Sequence, residues 1–201
     1  MSEIVRLSVA LTLRSPFMFQ GLANAMLGID AANLRGESGR PVIPADQIKG
    51  VLRAACEVLK DHKLDIAPEA LLNRLFGAES PKHKENDFES YDRPHRGLLI
   101  AGDLAAGLPE KSELTTTRIE IDDETGAVKS GALQVVELVA PFGKEVAFKG
   151  EFVLLAEKGV EPEQVESLLS RALALVPAIG AFKSAGFGEI VASEVKIVDR
   201  K

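Results

Sequence analysis

The chain has 201 residues, 46% of them hydrophobic and 27% charged, the balance of one soluble globular domain that buries a sizeable core. A net charge of −6 argues against indiscriminate binding of nucleic acid, although binding follows the local distribution of charge and not its sum. No apolar run reaches the ~18 residues of a membrane helix, the N-terminus lacks a signal-peptide pattern, and the single Cys56 excludes an internal disulfide or a cysteine-based zinc site, so a cytoplasmic protein with no membrane partner is expected.

Ile4–Arg14 alternates, with Val5, Leu7, Val9, Leu11 and Leu13 on one face, and predicts a half-buried strand. Residues 15–44 have no sustained period and carry scattered glycines and prolines, which reads as a long loop of the kind compact domains keep for function. Asp46–His62 predicts an amphipathic helix capped by Asp46, with Cys56 as a buried thiol on its apolar face. A second, short helix is predicted at Pro68–Phe76, stopped by Gly77. Residues 78–96 are polar and proline-bearing and read as a mobile insertion, followed by a short strand at Gly97–Leu104. Ser112–Ile121 and Ala132–Ala140 predict a central hairpin over 112–140, turning through the acidic Asp122–Gly126. A strand at Val146–Leu155, a helix at Pro162–Val176 and a last strand at Gly188–Val198 complete the chain. The order predicts a single α+β domain over 1–201, ferredoxin-like, with insertions after the first strand and in the middle.

Between the last helix and strand, Gly180, Gly186 and Gly188 bracket Lys183 and Ser184. Such a loop lets backbone N–H groups and a lysine converge on an anion such as phosphate. It fits neither the Walker pattern nor the dinucleotide fingerprint, since a strand and not a helix follows. The plainer reading is a tight helix-to-strand turn.

Lys49 and Arg53 stand four apart and share a helix face with Gly50 between them, which suits phosphate contact; an ordinary solvated face is the alternative. Arg35 and Arg40 lie on the loop before this helix, while acidic residues concentrate in the exposed-looking stretches 110–124 and 157–166. Asp30 is a lone loop aspartate, which on its own is most often a turn residue. His62, His83 and His95 share no spacing, and with one Tyr and no Trp there is no aromatic platform of the RRM kind.

Two segments together resemble the RAMP (repeat-associated mysterious protein) superfamily of CRISPR systems, and within it the backbone subunits of type III effector complexes. One runs from Leu27 to Arg53, with Gly28-Ile-Asp30, Gly39-Arg-Pro-Val-Ile-Pro44 and a helix carrying Ile48-Lys-Gly-Val-Leu-Arg53; the other is the glycine loop. Leu75-Phe-Gly77 is a weaker third match in the same order. The resemblance implies an RRM-like fold and polymerisation along guide RNA beside other effector subunits. It also implies phosphate contacts from Arg40, Lys49, Arg53, Lys183, Ser184 and the backbone at Gly180, Gly186 and Gly188, and a phosphate or base-stacking contact from Arg118. Asp30 falls where the target-cleaving relatives hold their catalytic aspartate, which implies metal-dependent cleavage of bound target RNA, with Mg²⁺ held by Asp30 and completed by RNA phosphates. In relatives a comparable hairpin acts as a thumb that wedges between bases, which the resemblance implies for the central hairpin here; a plain surface hairpin is the alternative.

The chain departs from that pattern in carrying Asp46-Gln47 where small hydroxyl residues are usual, in lacking a histidine around Phe17–Gly21, and in being short. Three alternatives stay open: a non-catalytic RNA-binding scaffold, a guide-processing endoribonuclease using His62 or His95, and a ferredoxin-like domain binding a small phosphorylated ligand. The RNA reading, as far as the sequence carries it, hangs on one structural expectation, that Lys49 and Lys183 fold together into a single cradle.

Overall fold

The computed structural model describes residues 3–20, 28–62, 67–77, 96–107, 114–119, 121–122 and 124–201. The insertion at 78–96, apart from Arg96, lies outside the described residues, and with it His83 and His95.

The first strand, β1 (Glu3–Arg14), buries Val5, Leu7, Val9, Leu11 and Leu13 completely. Each such side chain removed from water stabilises the fold by about 1.5–3 kcal/mol. β1 pairs antiparallel on one side with β7 (Glu145–Ala156) and on the other with β8 (Glu189–Arg200). Beyond β7 lie β4 (Leu104–Ala106) and the two-residue β2 (Val42–Ile43), giving the order β2-β4-β7-β1-β8, with β3 (Leu99–Ala101) also on β7. With β3 and β4 taken as one interrupted strand and the short β2 as an addition at its edge, this is the antiparallel order of a ferredoxin-like sheet, and the α+β expectation holds.

The single strand predicted at Gly97–Leu104 is instead split in two and runs to Ala106. The split has a steric cause: a Cβ at Gly150 of β7 would overlap the Asp103 carbonyl oxygen, so the chain passes directly over a glycine there.

Three helices cover the apolar face: α1 (Ala45–Asp61), α2 (Glu69–Phe76) and α3 (Pro162–Ala174). Ile48, Leu52, Ala55, Cys56 and Leu59 of α1 and Val165, Leu168, Leu169, Ala172 and Leu173 of α3 enter one core with the sheet. Phe17, Phe19 and Phe148 close its upper end with edge-on ring contacts at 5.1 and 5.8 Å to Phe148. The expected cap at Asp46 is corrected: Pro44 occupies the N-cap position, and the Ala45 amide donates to Asp103 Oδ1 at 2.8 Å. Asp46 sits exposed in the first turn, where its charge suits the helix dipole.

The opposite sheet face presents Arg6 against Glu151 and Arg14 against Glu189, with Ser8, Ala10 and Thr12 between them. No aromatic ring lies on this face of β1, β7 or β8, in line with the absence of an RRM-type platform.

The hairpin expectation also holds: β5 (Leu114–Arg118) and β6 (Gln134–Leu138) form a separate antiparallel sheet. It rests on a second, small core of Met18, Ala31, Val136 and Phe187, so the loop after β1, the hairpin and the glycine loop share one foundation.

Candidate nucleic-acid interface

The stretch that starts at Gly28 is laced to β6. The Asp30 amide donates to the Val135 carbonyl at 2.8 Å and the Glu137 amide to the Ala31 carbonyl at 2.9 Å. The exposed Asp30 carboxylate returns the contact, accepting the Val135 amide on Oδ2 at 2.7 Å. Its other oxygen meets no donor among the described residues, where no group of three or more His, Cys, Asp or Glu converges as a metal site. As a metal ligand Asp30 therefore fits only an ion whose remaining ligands are water and RNA phosphate, a coordination that Mg²⁺ tolerates.

Behind Asp30 stands a polar group that the sequence reading missed. Glu137 is 6% exposed in β6; its Oε2 accepts the Asn33 amide at 2.7 Å and its Oε1 an ion-paired Arg35 Nη2. Arg35 Nη1 in turn donates to the Gly39 carbonyl at 2.9 Å, and Asn33 Oδ1 accepts the Phe19 amide at 3.0 Å. A carboxylate inside the apolar run Val135–Ala140 was the available signal, since a buried charge is retained only with partners. Arg40 follows the Gly36–Gly39 turn, exposed, with no side-chain partner among the described residues.

The glycine loop packs against the end of β1. Ala181 N donates to the Met18 carbonyl and Gly188 N to the Pro16 carbonyl, each at 2.8 Å. A Cβ at Gly188 would overlap the Ile179 carbonyl, and one at Gly180 would come within 2.6 Å of the Met18 carbonyl, so close backbone packing demands both glycines. The amides of Ala185, Gly186 and Phe187 bond to carbonyls of Phe182 and Lys183 within a 3₁₀ turn at Lys183–Ala185. These amides are spent inside the protein, and the loop offers a ligand its exposed Lys183 and Ser184 side chains. Arg118 of β5 reaches across to it, its guanidinium carbon 3.9 Å from the centre of the Phe182 ring.

A second basic place lies on α1. Asp46, Lys49, Gly50, Arg53 and Phe76 line a groove of about 220 Å³. Lys49 Nζ donates to the Leu99 carbonyl at 2.8 Å, leaving two donors for a phosphate. Partial burial lowers the Lys49 pKa, Asp46 opposes that shift, and the neighbouring Arg96 and Arg53 reinforce it. Arg53 Nε donates to Glu57 one turn on at 3.1 Å, an exposed helix pair of the ordinary kind. Gly50 has nothing within 4 Å of where a Cβ would stand, so the groove floor is open backbone. His62 stands at the C-cap of this helix, its amide donating to the Val58 carbonyl at 3.1 Å.

Lys49 and Lys183 do not share a cradle. Leu99, which holds Lys49, pairs with Leu154, which pairs with Val5 near the start of β1; the glycine loop leads into Glu189, which pairs with Arg14 at its far end. Nearly the whole strand separates them, on the order of 30 Å at about 3.3 Å per residue. Both segments carry the expected residues, but the sheet register holds them apart. The structure gathers Asp30, Arg118, Lys183 and Ser184 around the small core under the hairpin, with Arg40 on the neighbouring turn, and leaves Lys49 and Arg53 at the other edge.

No curated protein matches the chain. No helix among the described residues is long and apolar enough to cross a membrane. A family model described as the RAMP superfamily matches residues 11–191, a span that takes in the Asp30 loop, the hairpin, both basic places and most of the sheet. The chain therefore belongs to the RAMP superfamily and is a CRISPR-associated protein with an RNA-binding role.

Proposed function

We propose that this protein is a backbone subunit of a type III CRISPR effector complex, which holds guide RNA by its phosphates and cleaves bound target RNA at Asp30. The observation that carries the reading is the placement of Asp30: an exposed carboxylate at the foot of the hairpin, one oxygen fixed by the Val135 amide and the other meeting no donor among the described residues. Asp30, tied to β6 through Val135, would hold a hydrated Mg²⁺ together with RNA phosphates, and the ion would supply Lewis-acid polarisation of the scissile phosphate. Lys183, Arg40 and Arg118 contribute cations around it, and Lys49 and Arg53 bind backbone farther along the same RNA. Phosphate contacts of this kind position a strand without reading its bases, as a subunit serving any guide requires.

The bond between Asp30 and Val135 also favours a second reading, a non-catalytic scaffold in which Asp30 merely ties the loop to the hairpin. Protein assembled on guide RNA with its partner subunits, Mg²⁺ and labelled target separates the two. Asp30→Asn keeps a carbonyl oxygen for the Val135 amide and loses the charge. Under the catalytic reading it abolishes cutting at regularly spaced positions while target binding is retained; undiminished cutting leaves the scaffold. Lys49→Ala and Lys183→Ala are each expected to weaken guide binding, to lower the salt slope by about one, and to combine additively because the sites are remote. Salt-independent binding would count against phosphate recognition altogether.

A further inference from the structure

Arg118 differs from most arginines of this acidic chain. Arg6, Arg14, Arg35, Arg53, Arg74 and Arg200 each face a carboxylate. Arg118 makes no ion pair with the described residues and lies instead over the face of Phe182. Phe182 is itself unusual: among the described residues it is the one non-glycine residue with a positive φ, 60°. A phenylalanine held in the left-handed region on an exposed loop is an outlier of the kind that clusters at binding sites. Phe187 fixes it from beneath, the two rings meeting edge to face with centres 5.5 Å apart, and Phe187 is anchored in the small core beside Val136 and Ala31.

We propose that Phe182 and Arg118 form a stacking site for one RNA base, at the junction of the hairpin and the glycine loop. The proposal rests on the RNA-binding reading above and adds a contact that phosphate recognition does not need. A guanidinium held over an aromatic ring adds a cationic surface to it, and bases stack on arginine planes as well as on rings. Such stacking tolerates every base, because each has a π-face, so it anchors a nucleotide without selecting a sequence. The Arg118 guanidinium donors meet no acceptor among the described residues, which leaves them to the adjoining phosphate. The site replaces the aromatic platform missing from the open sheet face: one ring, brought in from a loop and covered by an arginine from β5. Lys183 and Ser184, next in sequence and exposed, flank the same nucleotide.

The test is an abasic scan: a guide RNA in which a single abasic nucleotide is moved one position at a time, titrated against the full-length protein. With wild type, affinity is expected to fall about tenfold at positions that recur once per bound subunit, the loss of one stacked base. Phe182→Leu is expected to bind unmodified guide about tenfold more weakly and to lose no more at those positions; Phe182→Tyr, which keeps the ring, is expected to match wild type. Wild type indifferent to abasic substitution everywhere would overturn the stacking site while leaving phosphate binding intact, and this arm needs no variant to fold. A Phe182→Leu protein that still senses the same abasic positions would overturn it equally. Failure of wild type to bind guide RNA at low salt is a different result, and sinks the RNA-binding reading itself.

Discussion

Asp30 and Val135 are bonded to each other twice: the Asp30 amide donates to the Val135 carbonyl at 2.8 Å, and the Val135 amide donates to Asp30 Oδ2 at 2.7 Å. The backbone bond survives any substitution but proline, whereas the side-chain bond needs an acceptor at that position. Asp30→Asn is therefore expected to leave stability nearly unchanged and Asp30→Ala to lower it by about 1 kcal/mol, read as a shift of the urea midpoint at constant slope. Equal stabilities would show that the side-chain bond contributes nothing to holding the loop.

Glu137 is the keystone of the ties behind Asp30. Truncation to alanine strands the Asn33 amide in a buried site and removes the carboxylate opposite Arg35, an expected loss of about 3 kcal/mol. Glu137→Gln retains an oxygen for the Asn33 amide and should lose about half as much. A loss under 1 kcal/mol for Glu137→Ala by chemical denaturation would mean that the network is replaceable by water.

Cys56 is fully buried on α1, and burial pushes its thiol from 9.0 up to about 12, with Glu57 adding to the shift. The native state thus stays protonated where the unfolded chain ionises. The stability this contributes is complete below pH 9 and drains away as pH rises toward 12, on the order of 4 kcal/mol by the end of that window. Cys56→Ala should lower stability at neutral pH through the lost packing yet flatten the alkaline decline between those limits. An unchanged alkaline slope in the variant would assign the decline to other groups. The same burial predicts that thiol reagents modify Cys56 only as fast as the protein unfolds.

Gly188 and Gly186 differ by two positions in sequence and greatly in consequence. Alanine at 188 drives its Cβ into the Ile179 carbonyl and is expected to prevent native packing of the loop, a loss above 3 kcal/mol. Alanine at 186 meets nothing and is opposed only by its φ of 81°, about 1 kcal/mol. Thermal unfolding of the two variants gives the contrast directly; similar midpoints would contradict the packing described for Gly188.

Gly50 interrupts a helix for no steric reason of its own. Replacing it with alanine is expected to raise stability by about 0.5–1 kcal/mol, because the added Cβ meets no neighbour and helix propensity improves. The same methyl narrows the groove between Lys49 and Arg53, so guide-RNA affinity should fall as stability rises. A variant that is more stable and binds equally well would remove this groove from the RNA path.

What the sequence determined alone is what periodicity and local chemistry encode. The alternation of Ile4–Arg14, the apolar stripes of the first and third helices and the polar turn at 122–126 each specify an element within a few residues, because burial repeats with the local period of strand or helix. The motifs around Asp30, Lys49 and the glycine loop were likewise legible, and they carried the family. Tertiary structure alone decided which of those motifs meet. Sheet order and register set Lys49 and Lys183 a strand's length apart, brought Asp103 to accept the Ala45 amide at the start of the first helix, and buried Glu137 against Arg35 and Asn33. They also brought Arg118 over Phe182. Contacts of this kind join residues tens of positions apart, and their geometry is fixed by how the sheet pairs, which no local pattern of residues contains.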